Sequence, residues 1–353
     1  MIDSLVRKTI QSFTNYSPPS FEGKVILNAN ENAIDIFHER FLNQFQKKLQ
    51  QLSLNRYPDS DSNALRELFA AYIGAAKEEI IVGVGCDEIL RNILDAFVEK
   101  GDIVLGLEPT FSMYETLTTI VDGTYCAIAC DEDFVPDVKK IVYTANELQA
   151  KMLFLCSPNN PTGYTFDASQ LRTILENTSC LVVLDEVYAD FASGTYSNLY
   201  REYPRLIVLR TLSKAFSLAG IRVGFGIARA ETLQYLYRVK VPYNLNTLSQ
   251  AAAEVVLSNP DIIHAYTAQT VKRREALYKE LKQFLQLKVY PTQANFILIQ
   301  TNVYETIKAC AHKHGIALKY FSSDVLQNHI RITVGSEKEN AALLSMLKEA
   351  LYS

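Results

Sequence analysis

Short, continuous apolar runs that alternate with amphipathic segments are the feature that most constrains this fold. Runs of four or five residues, such as 152–156 and 181–184, are far too short to cross a bilayer. The segments between them carry apolar residues at helical spacing. Strands that are apolar along their whole length are typical of a parallel sheet covered by helices on both faces. We therefore predict an α/β region from about residue 60 onward. The predicted strands are 80–84, 103–107, 125–129, 152–156, 181–184 and 206–209, and the predicted helices are 62–73, 87–98, 111–121, 138–148 and 167–176.

The pattern changes after about residue 245, where helices become long and strands few. This change predicts a smaller α+β unit, and the first forty residues match neither pattern. We expect residues 1–30 to form an arm that packs with the small domain or a partner subunit, 31–244 to form the large domain and 245–353 the small one. The predicted elements of the last region are helices 247–257, 261–285, 303–314 and 338–351 and strands 295–300, 316–320 and 330–334.

Composition excludes several classes of protein. The 353 residues are 48% hydrophobic and 21% charged, with a formal net charge of −4, which gives no general reason to bind nucleic acid. Residues 1–11 carry charges and lack the apolar core of a signal peptide. The six cysteines are dispersed without a Cys-x-x-Cys pair, which favours reduced thiols over disulfides. We expect a globular protein of the cytoplasm.

Two of the predicted strands end at candidate ligand-binding residues. In an open parallel sheet, ligands bind beyond the carboxyl ends of the strands. Strand 80–84 runs into Gly85-Cys86-Asp87, a turn that opens a helix and could hold a phosphate, although such a turn taken alone is more often an ordinary helix start. Strand 181–184 runs into Asp185, which is either a functional carboxylate or a helix cap. An apolar strand that ends in Asp-Glu also describes the magnesium-binding strand of a nucleotide hydrolase. That interpretation requires a Gly-x-x-x-x-Gly-Lys-[Ser/Thr] loop, and this chain has none.

Three further positions carry groups suited to ligand binding. Lys214 follows strand 206–209 between small hydroxyl residues, and with cations such as Arg222 nearby its amine could form a Schiff base. The alternative is a surface Ser-Lys pair. Asn160 lies in a proline-flanked turn that could aim its amide at a ligand or have no function. Arg331 shares one face of strand 330–334 with Thr333, where it either binds an anion or is exposed.

Taken together and in this order, these residues resemble the fold type I pyridoxal phosphate-dependent aminotransferases. Within that group the chain is most similar to the histidinol-phosphate aminotransferases, over nearly its full length. The resemblance implies a mainly parallel, seven-stranded-type sheet between helices, plus a smaller α+β domain. The matching segments are 27–32, 56–59, 83–88, 109–114, 157–163, 185–188, 211–225 and 330–335.

The resemblance assigns pyridoxal 5'-phosphate as the cofactor. Lys214 would hold it covalently and move the substrate proton, and Asp185 would pair with the ring nitrogen and keep it protonated. Tyr188 and Asn160 would hydrogen-bond the ring hydroxyl, and Phe111 would stack on the ring. The phosphate would lie among Gly85, Cys86, Asp87, Thr211, Ser213 and Arg222.

The resemblance also implies substrate contacts and a shared site. Arg331 matches the arginine that binds the acidic group of the amino donor, and Tyr16 matches a tyrosine near the substrate phosphate. Asn30 belongs to the Asn-Glu-Asn motif of the subfamily. Lys319 stands where the family usually has arginine, which keeps the charge and loses the paired hydrogen bonds. Tyr57 matches a tyrosine that reaches the neighbouring subunit's cofactor phosphate, which implies a homodimer with shared active sites.

The implied reaction interconverts histidinol phosphate plus 2-oxoglutarate and imidazole acetol phosphate plus glutamate, in histidine biosynthesis. The alternatives that keep the cofactor are an aromatic amino acid aminotransferase and a threonine-phosphate decarboxylase. A cofactor-binding regulator without turnover would need a DNA-binding module, for which the chain has neither spare length nor a basic patch. Of the five histidines only His312 and His314 are close in sequence, and we expect no metal site.

Overall fold

The computed structural model describes residues 2–11, 13 and 23–352. None of its helices within these ranges combines the length and the apolar character needed to cross a membrane. The described strands are β1 (Val25–Leu27), β2 (Ile80–Val84), β3 (Ile103–Glu108), β4 (Thr124–Ala129), β5 (Met152–Cys156), β6 (Leu181–Asp185), β7 (Leu206–Thr211), β8 (Val223–Ile227), β9 (Leu287–Val289), β10 (Phe296–Thr301), β11 (Ile316–Tyr320) and β12 (His329–Thr333).

Helices cover both sheets and connect their strands. The described α-helices are α1 (Lys8–Gln11), α2 (Leu42–Leu49), α3 (Asn63–Ile73), α4 (Gly85–Phe97), α5 (Met113–Ile120), α6 (Val138–Glu147), α7 (Ala168–Asn177), α8 (Ala230–Val239), α9 (Thr247–Leu257), α10 (Pro260–Leu281), α11 (Tyr304–Lys313) and α12 (Glu337–Tyr352). A π-helix (Phe37–Phe41) leads into α2, and single 3-10 turns occupy Asp3–Leu5, Lys77–Glu79, Ala189–Phe191, Ser197–Arg201, Ala219–Ile221 and Asp324–Leu326.

The larger sheet confirms the predicted α/β architecture. In the described part of the chain it has seven strands in the order β2-β8-β7-β6-β5-β3-β4. Strands β4, β3, β5, β6 and β7 pair in parallel, whereas β8 is antiparallel to both of its neighbours. Asp167 caps the start of α7, because its side chain accepts a hydrogen bond from the backbone N–H of Gln170.

Burial explains why the central strands are apolar along their whole length. Every residue of β5, β7 and β8 is buried, and two apolar cores lie on the two faces of the sheet. Along β6, for example, Val182 and Leu184 contribute to one core and Val183 to the other. Asp185, at the end of β6, therefore lies at the edge of a double-sided core, where the strands stop and polar groups begin.

The smaller sheet has the order β1-β11-β12-β10-β9 within the described residues. Strand β1, which lies within the predicted arm of residues 1–30, joins this sheet in parallel with β11. Helix α9 packs in the core of the large sheet. Helix α10 then leads the chain to the small sheet, where its Leu277 and Leu281 pack in the core. The domain limits at residues 30 and 244 stay predictions.

Candidate active site

Asp185 is the most deeply buried ionisable group at the predicted site. It is 3% exposed at the end of β6. Oδ2 accepts a hydrogen bond of 2.7 Å from the hydroxyl of Tyr114, and Oδ1 accepts one of 3.2 Å from the N–H of Val187. Burial, with the neighbouring Asp87 and Glu186 charges, outweighs these two hydrogen bonds and raises the pKa of Asp185 from 3.8 to about 6. The carboxylate is thus poised for a cationic partner.

Lys214 lies in the loop that joins β7 to β8. Its Nζ donates a 3.1 Å hydrogen bond to the carbonyl oxygen of Ala29 and lies 5.7 Å from the ring centroid of Tyr188. Burial lowers its pKa from 10.5 to about 8, with Arg331 and then Arg222 acting in the same direction. A lysine in this environment has a far larger neutral fraction near pH 7 than a surface lysine, so the predicted nucleophilic amine has suitable surroundings.

The turn that opens α4 forms a cradle for an anion. Gly85 has a φ of +71°, its N–H donates to the carbonyl oxygen of Arg222, and a Cβ at this position would lie 2.7 Å from Arg222 Nη2. On the neighbouring strand, a Cβ on Gly224 would lie 2.5 Å from the backbone nitrogen of Cys86. Because neither glycine has a Cβ, the backbone of β8 and the Arg222 guanidinium can lie close to the turn that opens α4. Backbone N–H groups at the start of α4 and the half-exposed Arg222 guanidinium suit a phosphate.

The other predicted phosphate contacts surround the same turn. Thr211 ends β7 beside Gly224 of β8, and its hydroxyl donates to Val223 while accepting from the N–H of Ser213. The thiol of Cys86 points away from the turn and donates to the carbonyl oxygen of Arg210, so only the backbone of Cys86 is available to an anion. The Arg222 guanidinium lies 3.4 Å from a carboxylate oxygen of Asp87.

Asn30 and Tyr188 connect the two sheets at the site. The amide of Asn30 donates a 3.0 Å hydrogen bond to the hydroxyl of Tyr188, and its backbone N–H donates to Thr333 on β12. Asn30 has a φ of +55°, which the Thr333 contact and a hydrogen bond from Asn295 to its carbonyl oxygen stabilise. Burial raises the pKa of Tyr188, so its hydroxyl stays protonated and remains a donor.

Arg331 is buried on β12 and points into the same site. It donates to the side-chain oxygen of Asn160 and, over 2.7 Å, to the carbonyl oxygen of Asn28, and it lies 5.4 Å from the ring centroid of Phe296. Lys319 is paired with Arg331 in the register of β11 and β12. Burial, and then the Arg331 charge, lower the pKa of Lys319. Two cations therefore lie side by side on adjacent strands, as an anionic substrate group would require.

The remaining predicted residues lie at the margins of the site or outside the description. Phe111 is half-buried and makes an edge contact with Tyr114, with 5.6 Å between ring centroids. Tyr57 is 81% exposed and stacks on Tyr243. Tyr16 lies outside the described residues, so its proposed role stays a prediction.

Sequence reasoning missed two residues of the candidate site. Tyr114 is fully buried and bonds directly to Asp185, yet a tyrosine within an amphipathic helix pattern gives no sign of its partner. Gly224 belongs to β8, which was not predicted because glycine at positions 224 and 226 interrupts the apolar run. The alternation of glycine with Val223, Phe225 and Ile227 was the available signal, since glycine inside a strand often marks a close backbone approach.

One cluster bears on the expected absence of a metal. Cys310, His314 and Glu349 offer ligand atoms within 4.8 Å of one another on α11 and α12, a thiol neighbour of His314 that sequence reasoning overlooked. Glu349 already accepts hydrogen bonds from His314 and, over 2.6 Å, from the Lys313 ammonium. This cation occupies the carboxylate and would repel a metal ion, so the cluster is a surface ion-pair network.

Comparison with known proteins identifies the family. Aminotransferase class I and II is the family whose sequence profile matches residues 22–347. The chain belongs to this family. It is 37% identical over 352 residues to the histidinol-phosphate aminotransferase of Clostridium novyi (strain NT), covering 100% of this chain and 99% of that protein. It is likewise 37% identical over 352 residues to the histidinol-phosphate aminotransferase of Thermoanaerobacter pseudethanolicus, covering 99% of this chain and 100% of the relative.

The architecture of this aminotransferase is also found among solved structures. A crystal structure of histidinol-phosphate aminotransferase from Sinorhizobium meliloti in complex with pyridoxal-5'-phosphate superposes with a TM-score of 0.89. It covers 99% of this chain and 98% of that chain at 21% sequence identity. At this identity the likeness shows the fold, and it agrees with the predicted fold type I architecture.

Proposed function

We propose that this aminotransferase uses pyridoxal 5'-phosphate to interconvert histidinol phosphate plus 2-oxoglutarate and imidazole acetol phosphate plus glutamate. The observation that carries the proposal is the meeting of Lys214, Asp185 and Arg331 in one site, within a chain similar over its whole length to proteins named histidinol-phosphate aminotransferase. An amine, a buried carboxylate and a buried guanidinium are the three groups that transamination of an anionic amine needs.

The residues present fit the cofactor. The glycine cradle accepts a phosphate. Asp185 offers a buried carboxylate with a pKa of about 6, and a protonated ring nitrogen beside it would lower that pKa and so favour the ionised form. Phe111 supplies an apolar face for the ring, and Tyr188 supplies a hydroxyl held by Asn30. When bound, pyridoxal phosphate supplies an electrophilic carbonyl carbon and an electron-withdrawing ring.

Lys214 performs the proton chemistry in this proposal. Because its pKa is about 8, its Nζ can release a proton and take one up near neutral pH, as a general base and then a general acid. The hydrogen bond to Ala29 and the packing beside Tyr188 fix where the amine lies in the free site. Moving the proton between two carbon atoms of one substrate–cofactor pair requires a single base that both can reach.

Arg331 and Lys319 account for substrate choice. Arg331 is held by Asn28 and Asn160, so its guanidinium is already oriented before a carboxylate or phosphate arrives. Lys319 adds a second positive charge on the adjacent strand, which favours a doubly charged phosphate over a neutral side chain. This placement supports a phosphorylated amine as one substrate and glutamate as the other.

We also propose a homodimer whose active sites are completed across the interface. Tyr57 and Tyr243 form an exposed stacked pair, and the two segments are held together by a hydrogen bond from the Lys240 ammonium to the carbonyl oxygen of Ser60. Leu54 and Val241, next to this pair in sequence, are 67% and 63% exposed. An exposed apolar and aromatic patch of this kind is typical of a subunit contact.

A cytoplasmic location is the remaining part of the proposal. All six cysteines lie in the described part of the chain and are free thiols, in agreement with the prediction of reduced cysteines. Two of them, Cys156 and Cys180, are buried in the cores of the large sheet. Free thiols in this number are typical of proteins that function in a reducing compartment.

A half-reaction without an acceptor tests the substrate assignment. Purified holoenzyme is mixed separately with L-histidinol phosphate, L-phenylalanine and L-threonine phosphate, and the cofactor absorbance is followed. We expect fast conversion to the pyridoxamine form with histidinol phosphate alone. Faster conversion by phenylalanine would instead identify an aromatic aminotransferase, and release of carbon dioxide from threonine phosphate would identify a decarboxylase.

A further inference from the structure

Among the described residues, Tyr114 is the buried side chain that hydrogen-bonds to Asp185, and the proposed mechanism does not use it. Its hydroxyl donates to Asp185 Oδ2 over 2.7 Å, and both residues are almost completely buried. A phenol placed this way prefers the ionised carboxylate, which is the better acceptor. Since Asp185 also accepts from Val187 through Oδ1, each oxygen keeps one lone pair for a further partner.

The packing around Tyr114 fixes its hydroxyl in place. The ring stacks on Phe154 of β5 with 4.7 Å between centroids and an interplanar angle of 9°, and meets Phe111 edge to face. Its backbone lies on α5, whereas Asp185 lies on β6. Tyr114 therefore links the residue proposed to stack on the cofactor ring to the residue proposed to bind the ring nitrogen.

We propose that Tyr114 is a positioning residue that holds the Asp185 carboxylate ionised and oriented toward a protonated ring nitrogen. The proposal rests on the assignment of pyridoxal phosphate as the cofactor. In it, Tyr114 touches neither cofactor nor substrate and acts only through Asp185. The loss of its hydroxyl should therefore matter only when the bound ring carries a nitrogen that Asp185 can recognise.

Two cofactors and two chains make this distinction measurable. Cofactor-free wild type and Tyr114→Phe are each titrated with pyridoxal phosphate and with its 1-deaza analogue, in which a C–H group replaces the ring nitrogen. For pyridoxal phosphate we expect Tyr114→Phe to raise the dissociation constant about tenfold, the usual size for a hydrogen bond to a charged group. For the analogue we expect a change of less than about twofold, because the pair with Asp185 no longer forms.

A matched variant and a double variant exclude a purely structural role. Tyr72 is a partly buried tyrosine whose hydroxyl likewise donates to a carboxylate, over 2.9 Å to the partly buried Asp190, and Tyr72→Phe should leave both dissociation constants unchanged. In an Asp185→Asn background, adding Tyr114→Phe should produce no further loss of pyridoxal phosphate affinity. The pH at which the bound chromophore titrates should shift in Tyr114→Phe and remain unchanged in Tyr72→Phe.

The outcomes separate this inference from the function it rests on. Equal weakening of both cofactors by Tyr114→Phe would show that the hydroxyl serves packing alone and would overturn the inference. Unchanged binding of pyridoxal phosphate by the variant would overturn it as well. A wild-type chain that binds no pyridoxal phosphate in a form dependent on Lys214 would instead refute the proposed function.

Discussion

Asp185 is expected to destabilise the cofactor-free protein, so that Asp185→Asn stabilises it as the pH rises. Burial raises the pKa of this carboxyl from 3.8 to about 6 in the folded chain. A group whose pKa is raised by folding contributes its full stability below the unfolded value and loses it as the pH rises through the folded value. The gap between the two values corresponds to about 3 kcal/mol of stability that the wild type loses and the asparagine variant does not.

Part of this difference falls between pH 5 and pH 8, where urea unfolding can be followed by circular dichroism. The cofactor must be removed and the protein concentration held fixed, because binding and dimerisation also stabilise the folded state. We expect the stability of Asp185→Asn relative to wild type to increase by about 1 kcal/mol over this range. In the presence of pyridoxal phosphate the wild type should be the more stable of the two proteins, because the variant lacks the carboxylate that binds the ring nitrogen.

Asp167→Asn is the control whose relative stability should not depend on pH in this range. The pKa of Asp167 is lowered, chiefly by the hydrogen bond from the backbone N–H of Gln170, so its ionised form stabilises the start of α7. Because its folded pKa lies below 3.8, the carboxylate is ionised in both the folded and the unfolded chain from pH 5 to pH 8, and the stability of this variant relative to wild type should stay nearly constant over that range. A relative stability of Asp185→Asn that stays constant or falls from pH 5 to pH 8 would refute the reasoning about the buried carboxylate.

Three further outcomes are expected. Lys214→Ala should abolish the lysine-dependent cofactor absorbance and transamination, and measurable turnover by this variant would contradict the assigned role. Lys319→Ala should weaken phosphorylated donors more than non-phosphorylated ones in kcat/KM, by about tenfold, the usual size for a lost hydrogen bond to a charged group; an equal loss would remove Lys319 from the phosphate site. Gly224→Ala should lower pyridoxal phosphate affinity by at least about tenfold, because its Cβ would meet backbone atoms of the phosphate turn at 2.5 Å. Gly220→Ala is the control and should leave the affinity unchanged, because a Cβ there would have no heavy atom within 4 Å. Equal affinities of the two glycine variants would show that the turn tolerates displacement.

The strands and the chemistry at their ends could be predicted from sequence because they follow from local pattern. A run such as Met152–Cys156 is apolar throughout because both faces of its strand are buried. In β6 the polar Asp185 directly follows the buried Val183 and Leu184, at the point where the core ends. Local pattern likewise places Lys214 after β7. The family resemblance then supplied the roles, which composition and periodicity do not contain.

The contacts made across the fold could not be predicted in this way. The bond from Tyr114 to Asp185 joins residues 71 positions apart, and the hydrogen bond from Asn30 to Tyr188 joins residues 158 positions apart. Neither pairing leaves a periodic trace in the sequence. Strand β8 was missed for a related reason, since Gly224 is required by the approach of Cys86 and Gly85 rather than by the strand itself.

Strand β8 also has a consequence for the motion of the segment that carries Lys214. The backbone N–H of Leu212 donates to Val223, and that of Gly85 donates to Arg222, so the loop of residues 212–222 begins and ends on hydrogen bonds of the large sheet. Opening either end of this loop breaks a hydrogen bond at a strand pair of the sheet, so the amide protons of Leu212 and Gly85 should exchange with solvent much more slowly than those of an ordinary surface loop. The lysine thus moves as a flexible side chain on a fixed base, and the distance over which it can carry a proton is set by its own rotamers.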